Sequence, residues 1–91
     1  AYQATHKILK RLATADPMSY RAQRDLMVSF YKLGVFHAET DRMDSALDHF
    51  RGALEISEEL ARELPDNPEV QREAEILRGM VNELEGGMPP D

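Results

Sequence analysis

The sequence predicts an all-α fold of antiparallel helix-turn-helix repeats, with about four helices. Three observations carry that expectation. Apolar residues recur at spacings of three and four, and the period-2 alternation of strands is absent. Breakers divide the chain at Asp16-Pro17, Thr40-Asp41, Leu64-Pro65-Asp66-Asn67-Pro68 and Gly86-Gly87. A shift of 48 residues lays Ile8 on Ile56, Leu12 on Leu60, Ala13 on Ala61 and Pro17 on Pro65. It also lays Gln23-Arg24-Asp25 on Gln71-Arg72-Glu73.

The first helix is expected over about residues 2–14, with Tyr2, Ile8, Leu9, Leu12 and Ala13 as its apolar positions. It stops before Pro17, which lacks an N–H and pushes Asp16 out of the helical region. The second is expected over 19–39, with Ser19 as N-cap. Ala22, Leu26, Ser29, Leu33 and Phe36 form one face, and Leu26, Phe30, Leu33 and His37 an overlapping one. Two overlapping stripes imply packing on two sides. The third helix is expected over 42–64, capped by Asp41, with Asp44 in the first turn favoured by the helix dipole. Met43, Ala46, Leu47, Phe50, Ala53, Leu54, Ile56, Leu60 and Leu64 supply its apolar side, and Glu58 and Arg62 an i,i+4 pair. The fourth is expected over 67–85, with Asn67 as cap and Pro68 at the first helical position. Val70, Ala74, Leu77, Val81 and Leu84 share one face, widened by Ile76 and Met80. These helices make one domain, residues 1–85, followed by a flexible tail at 86–91.

In repeat terms the first helix resembles the later part of the third, and the second resembles the fourth. One complete hairpin is flanked by half a hairpin on each side. The chain also opens without Met, inside a helical pattern. The expectation is therefore a segment of a longer array, because half-units cannot bury both faces alone.

Composition narrows the chemistry. There is no cysteine, which removes disulfides, thiolate metal sites and cysteine nucleophiles. No HExxH, phosphate loop or EF-hand pattern is present. His6, His37 and His49 are scattered along the sequence, and adjacent helix positions such as Asp48 and His49 point apart. No catalysis, metal or cofactor is expected. No apolar run approaches the ~20 residues that span a bilayer, and the net charge of −6 disfavours a phosphate backbone as partner. Residues 1–33 carry +4 and residues 34–91 carry −10. That split favours head-to-tail stacking, and the basic first third is the one hint of nucleic-acid binding. A cytoplasmic location is expected.

The middle of the chain resembles the tetratricopeptide repeat. Phe30, Leu33-Gly34 and His37 stand in the first-helix slots of aromatic, Leu-Gly and aromatic. Ala46, Phe50 and Ala53 stand in the second-helix slots. The likeness covers about residues 25–56 well and the flanking half-units weakly. His37 replaces an aromatic, Val81-Asn82 stands where the fourth helix would carry Leu-Gly, and the 48-residue shift exceeds the usual roughly 34 residues. Long-helix variants of the family are similar to the stretch Ala53-Leu54-Glu55-Ile56-Ser57-Glu58-Glu59-Leu60.

The resemblance implies a protein–protein interaction module with a concave groove. It places Val28, Tyr31, Lys32, Val35, Ala38 and Glu39 on that face. Tyr31 is the natural anchor, because a large ring with a polar tip gives contact area at low entropic cost. A protein or peptide partner is implied. The same residues would instead be core if a neighbouring helix covered them. The alternative role is a structural or self-assembling unit, a homo-oligomer joined through its exposed half-repeats.

Overall fold

A computed structural model describes residues 2–87. It contains four helices: α1 (Tyr2–Ala15), α2 (Tyr20–Glu39), α3 (Met43–Glu63) and α4 (Pro68–Gly87). The fold is all-α, with antiparallel helix hairpins and no strand among the described residues. The expected boundaries hold to within a residue or two. The tail falls partly in α4, which runs to Gly87, and residues 88–91 lie outside the described residues.

Local chemistry sets the ends. The Ser19 hydroxyl accepts from the Ala22 N–H at 3.1 Å and starts α2. Asn67 Oδ1 accepts from Glu69 and Val70 N–H at 3.1 and 3.2 Å and starts α4, with Pro68 at the first position. The α2–α3 turn departs from expectation. Asp41 does not cap α3; Arg42 is the capping residue and makes no side-chain cap bond. Asp41 closes α2 instead, in the left-handed region at φ 59°. Its N–H donates to Ala38 O at 3.3 Å, and the Arg42 N–H donates to His37 O at 2.8 Å. That pair of bonds is the Schellman ending of a helix, which satisfies carbonyls the helix leaves open. Glu58 also departs from expectation. Its carboxylate takes Arg78 of α4 at 3.0 Å, across the helix pair, rather than Arg62 on its own helix.

Each helix packs against its sequence neighbours. His6 of α1 also reaches His49 of α3, and Arg24 of α2 reaches Glu69 and Glu73 of α4. The helices therefore form two layers, α1 beside α3 and α2 beside α4. The smallest dimension, 19 Å, fits two helix diameters. One part of the core is built on Ala46, Leu47, Phe50 and Val81, the other on Met27, Ala53 and Leu77. Each large apolar side chain buried there contributes about 1.5–3 kcal/mol.

Two glycines permit this closeness. A Cβ on Gly34 would stand 2.7 Å from the Phe50 ring, and one on Gly52 would stand 2.8 Å from the Phe30 ring. Phe36 is the exception in the α2 stripe. It is 45% exposed.

The 48-residue correspondence is reproduced in hydrogen bonds. Gln23 Nε2 donates to Ala13 O at 3.2 Å, and Gln71 Nε2 donates to Ala61 O at 2.8 Å. The caps Ser19 and Asn67 are related by the same shift. Both hairpins are thus tied in the same way, a side-chain amide reaching back to the last turn of the preceding helix.

Candidate functional site

Five of the six residues expected on the recognition face line clefts along α2 and its border with α4, while Ala38 packs against the core built on Ala46, Leu47, Phe50 and Val81. Val28 and Tyr31 line a cleft of about 230 Å³ with Met27, Glu73, Ile76 and Leu77. Tyr31, Lys32, Val35, Phe36 and Glu39 line an adjoining cleft of about 240 Å³. Tyr31 belongs to both. Its ring lies 5.7 Å from the Phe50 ring, which steadies it from below, yet 41% of its surface stays open. Val28 and Val35 are half-buried, Lys32 and Glu39 exposed. No helix of the described residues covers Tyr31.

Ile76 and Phe36 were not expected here. Ile76 is 55% exposed and stands opposite Val28 and Tyr31. Its place at the edge of the α4 apolar stripe was the available signal. Phe36 belongs to an apolar stripe expected to pack, yet it is 45% exposed and lines the second cleft. Beside the first cleft the Arg24 guanidinium donates to Glu73, one of its lining residues, at 2.8 Å and to Glu69 at 3.2 Å. This bridge links α2 to α4, which are both placed by packing on α3.

The signature residues act as structure. Leu33, Gly34, His37, Ala46, Phe50 and Ala53 are buried, and Phe30 is half-buried over Gly52.

The three histidines, scattered in sequence, converge in space. His37 and His49 stack with centroids 4.8 Å apart, and His6 lies 6.4 Å from His49 and 4.4 Å from Phe30. His49 Nδ1–H donates to Ser45 O at 2.7 Å, which fixes its tautomer. His6 Nδ1 and Ser29 Oγ share a hydrogen bond at 3.0 Å. Among the described residues, His37 Nδ1 is buried without a hydrogen-bond partner. Burial, then His49, then Lys10 hold His6 below the ordinary histidine range. Burial, then His49, then Arg42 do the same for His37. No group of three or more His, Cys, Asp or Glu placed to hold a metal ion occurs among the described residues. Ser29 sits inside α2, where the neighbouring N–H groups are committed to the helix ladder. The cluster reads as a packed seam joining α1, α2 and α3.

No helix of the described residues is long and apolar enough to cross a membrane. Comparisons with protein families, curated proteins and solved structures find no match to this chain.

Proposed function

We propose that this chain is a protein-recognition segment of a tetratricopeptide-like repeat array, taking an apolar peptide or protein segment along the face shared by α2 and α4. The observation that carries this reading is the pair of adjoining clefts centred on Tyr31. They join an open aromatic ring, exposed Ile76 and half-buried valines into one apolar strip with Lys32 and Glu39 on its rim. Exposed apolar surface rimmed by charge is where soluble proteins meet partners. The signature residues buried beneath the strip support the family likeness, since they hold the hairpin that presents it. Within this reading Tyr31 and Ile76 anchor the ligand and Lys32 selects for an acidic group in register.

The test is selection of ligands from a displayed random-peptide library. Selected peptides should bind the chain saturably and lose at least about tenfold in affinity to Tyr31→Ala or Ile76→Glu, as expected for anchors at the centre of an interface. Circular dichroism should show both variants folded. Absence of any selected peptide, or peptides indifferent to both substitutions, shifts the reading to a structural unit without a separate ligand.

A further inference from the structure

The same 48-residue correspondence identifies a second surface, on α1. In α3, Gly52, Ile56 and Leu60 form a stripe that α2 covers. Phe30 lies over Gly52, Ile56 packs against the core built on Met27, and Gln23 stands over Ile56 and Leu60. Leu60 is 4% exposed as a result. The equivalent stripe on α1 is Ala4, Ile8 and Leu12. It has the same small, large, large pattern, but Ile8 is 57% and Leu12 54% exposed. Beside it runs a trough of about 560 Å³ between α1 and α2, where Thr5 and Leu9 face Arg24, Asp25, Val28 and Lys32. Val28 and Asp25 are the counterparts of Ile76 and Glu73, which face α2 from α4. The trough is therefore the equivalent of the slot that α2 occupies on α3 and α4.

The charge around the stripe is reversed. Glu55 and Glu59 flank it on α3, and Lys7 and Arg11 stand at the equivalent places on α1. Helix α1 carries Lys7, Lys10 and Arg11 and no acid. We infer that the Ala4–Ile8–Leu12 face and its trough are a docking site for an acidic amphipathic helix. Its apolar edge would repeat the spacing of Met27 and Phe30, with a carboxylate at the place of Gln23, opposite Arg11. A second copy of the chain is a poor occupant. On α4 the residues equivalent to the α3-covering edge of α2 are Glu75, Arg78, Asn82 and Glu85, all polar and exposed. Apolar stripes gain nothing against such a face, and opposite charge steers specificity more than it supplies affinity.

The site is separate from the strip centred on Tyr31, so the two are tested by different variants. The probes are two fluorescent peptides with the sequence of residues 20–39 made acidic by Arg21→Glu, Arg24→Glu and Lys32→Glu, one carrying Gln23→Glu and one Gln23→Lys. Both are stapled between positions 22 and 26, the side that faces α1 within the chain. Anisotropy should show saturable binding of both, with about a threefold preference for the Gln23→Glu peptide, the size of one exposed charge pair. Arg11→Glu should reverse the preference, and salt of about 1 M should abolish it. Ile8→Glu and Leu12→Glu should each weaken both peptides at least about tenfold, while Ile76→Glu leaves them unchanged. The proposal is overturned if neither peptide binds, or if binding survives Leu12→Glu. Loss on Ile76→Glu instead would assign the peptides to the other strip. A rise in mass with concentration that Leu12→Glu removes would give the face to a second copy, and also overturns it.

Discussion

Gly34→Ala tests whether close approach, rather than helix propensity, decides stability at the α2–α3 crossing. In an open helix the change is favourable by about 1 kcal/mol. At Gly34 the new methyl would lie 2.7, 2.8 and 2.9 Å from three carbons of the Phe50 ring. Carbon pairs are comfortable at about 3.5–4.0 Å, so the ring would have to retreat by about 1 Å. Phe50 is 3% exposed and packed against Ala46, Leu47 and Val81, with the Tyr31 ring tilted against it. It has nowhere to go. Overpacking of this kind costs about 1–3 kcal/mol, and three contacts this short put it in the upper part of that range, about 2–3 kcal/mol, leaving a net loss of about 1–2 kcal/mol after the propensity gain. For a domain of this size that lowers the Tm by about 5–15 °C. Gly52→Ala is the internal control. Its methyl would meet the Phe30 ring at 2.8 Å, but Phe30 is only half-buried and can shift, so the two terms should nearly cancel. Urea unfolding followed by circular dichroism measures both. The reasoning fails if Gly34→Ala is as stable as the parent, or if Gly52→Ala costs more. It also requires that Phe50→Leu, which frees space, costs less in the Gly34→Ala background than alone.

Two further outcomes follow from the turn and the seam. Asp41→Gly should stabilise the chain by about 0.5–1 kcal/mol, because φ 59° suits glycine and penalises a side chain. A lowered Tm in thermal unfolding would count against that account of the α2 ending. Acidification should loosen the helix seam. His6 and His37 bind protons less readily folded than unfolded, so their contribution is complete above the unfolded value of 6.5 and is lost as pH falls below it. Tm should fall between about pH 7 and about pH 5.5, above the range where carboxylates titrate, and His37→Phe should flatten that slope.

Most of the fold is readable in the sequence because its signals are local. Ser19, Asn67 and Pro68 mark helix starts through bonds within three residues, and the apolar spacings mark buried faces. Asp41 misled because an acid just before a helix resembles a cap, while the strained backbone that makes it a helix ending leaves no mark in the sequence. The recognition strip was half legible. Tyr31, Val28 and Val35 follow from one helix face, but Ile76 arrives from another helix, which the shared core of Met27, Ala53 and Leu77 brings alongside. The histidine cluster was invisible for a related reason. Its members come from three helices, and only the closeness permitted by Gly34 and Gly52 brings them together.

The repeat supplies a final step, because its two copies agree in some respects and differ in others. Capping and the Gln23 and Gln71 bonds are the same in both, which is what holding a hairpin requires. The outward edges are not. Met27, Phe30, Gly34 and His37 on α2 become Glu75, Arg78, Asn82 and Glu85 on α4, while the stripe of α3 is kept in α1 with its flanking charge reversed. A polar edge on α4 costs nothing in water and gives another helix no apolar surface to bury. An exposed apolar stripe on α1 is unfavourable in water until something covers it. The two outward faces are therefore unlike in kind: the α1 stripe offers a helix apolar surface and the α4 edge does not. Ile8→Glu with Leu12→Glu should cost the isolated chain almost no stability, since both side chains already stand in water.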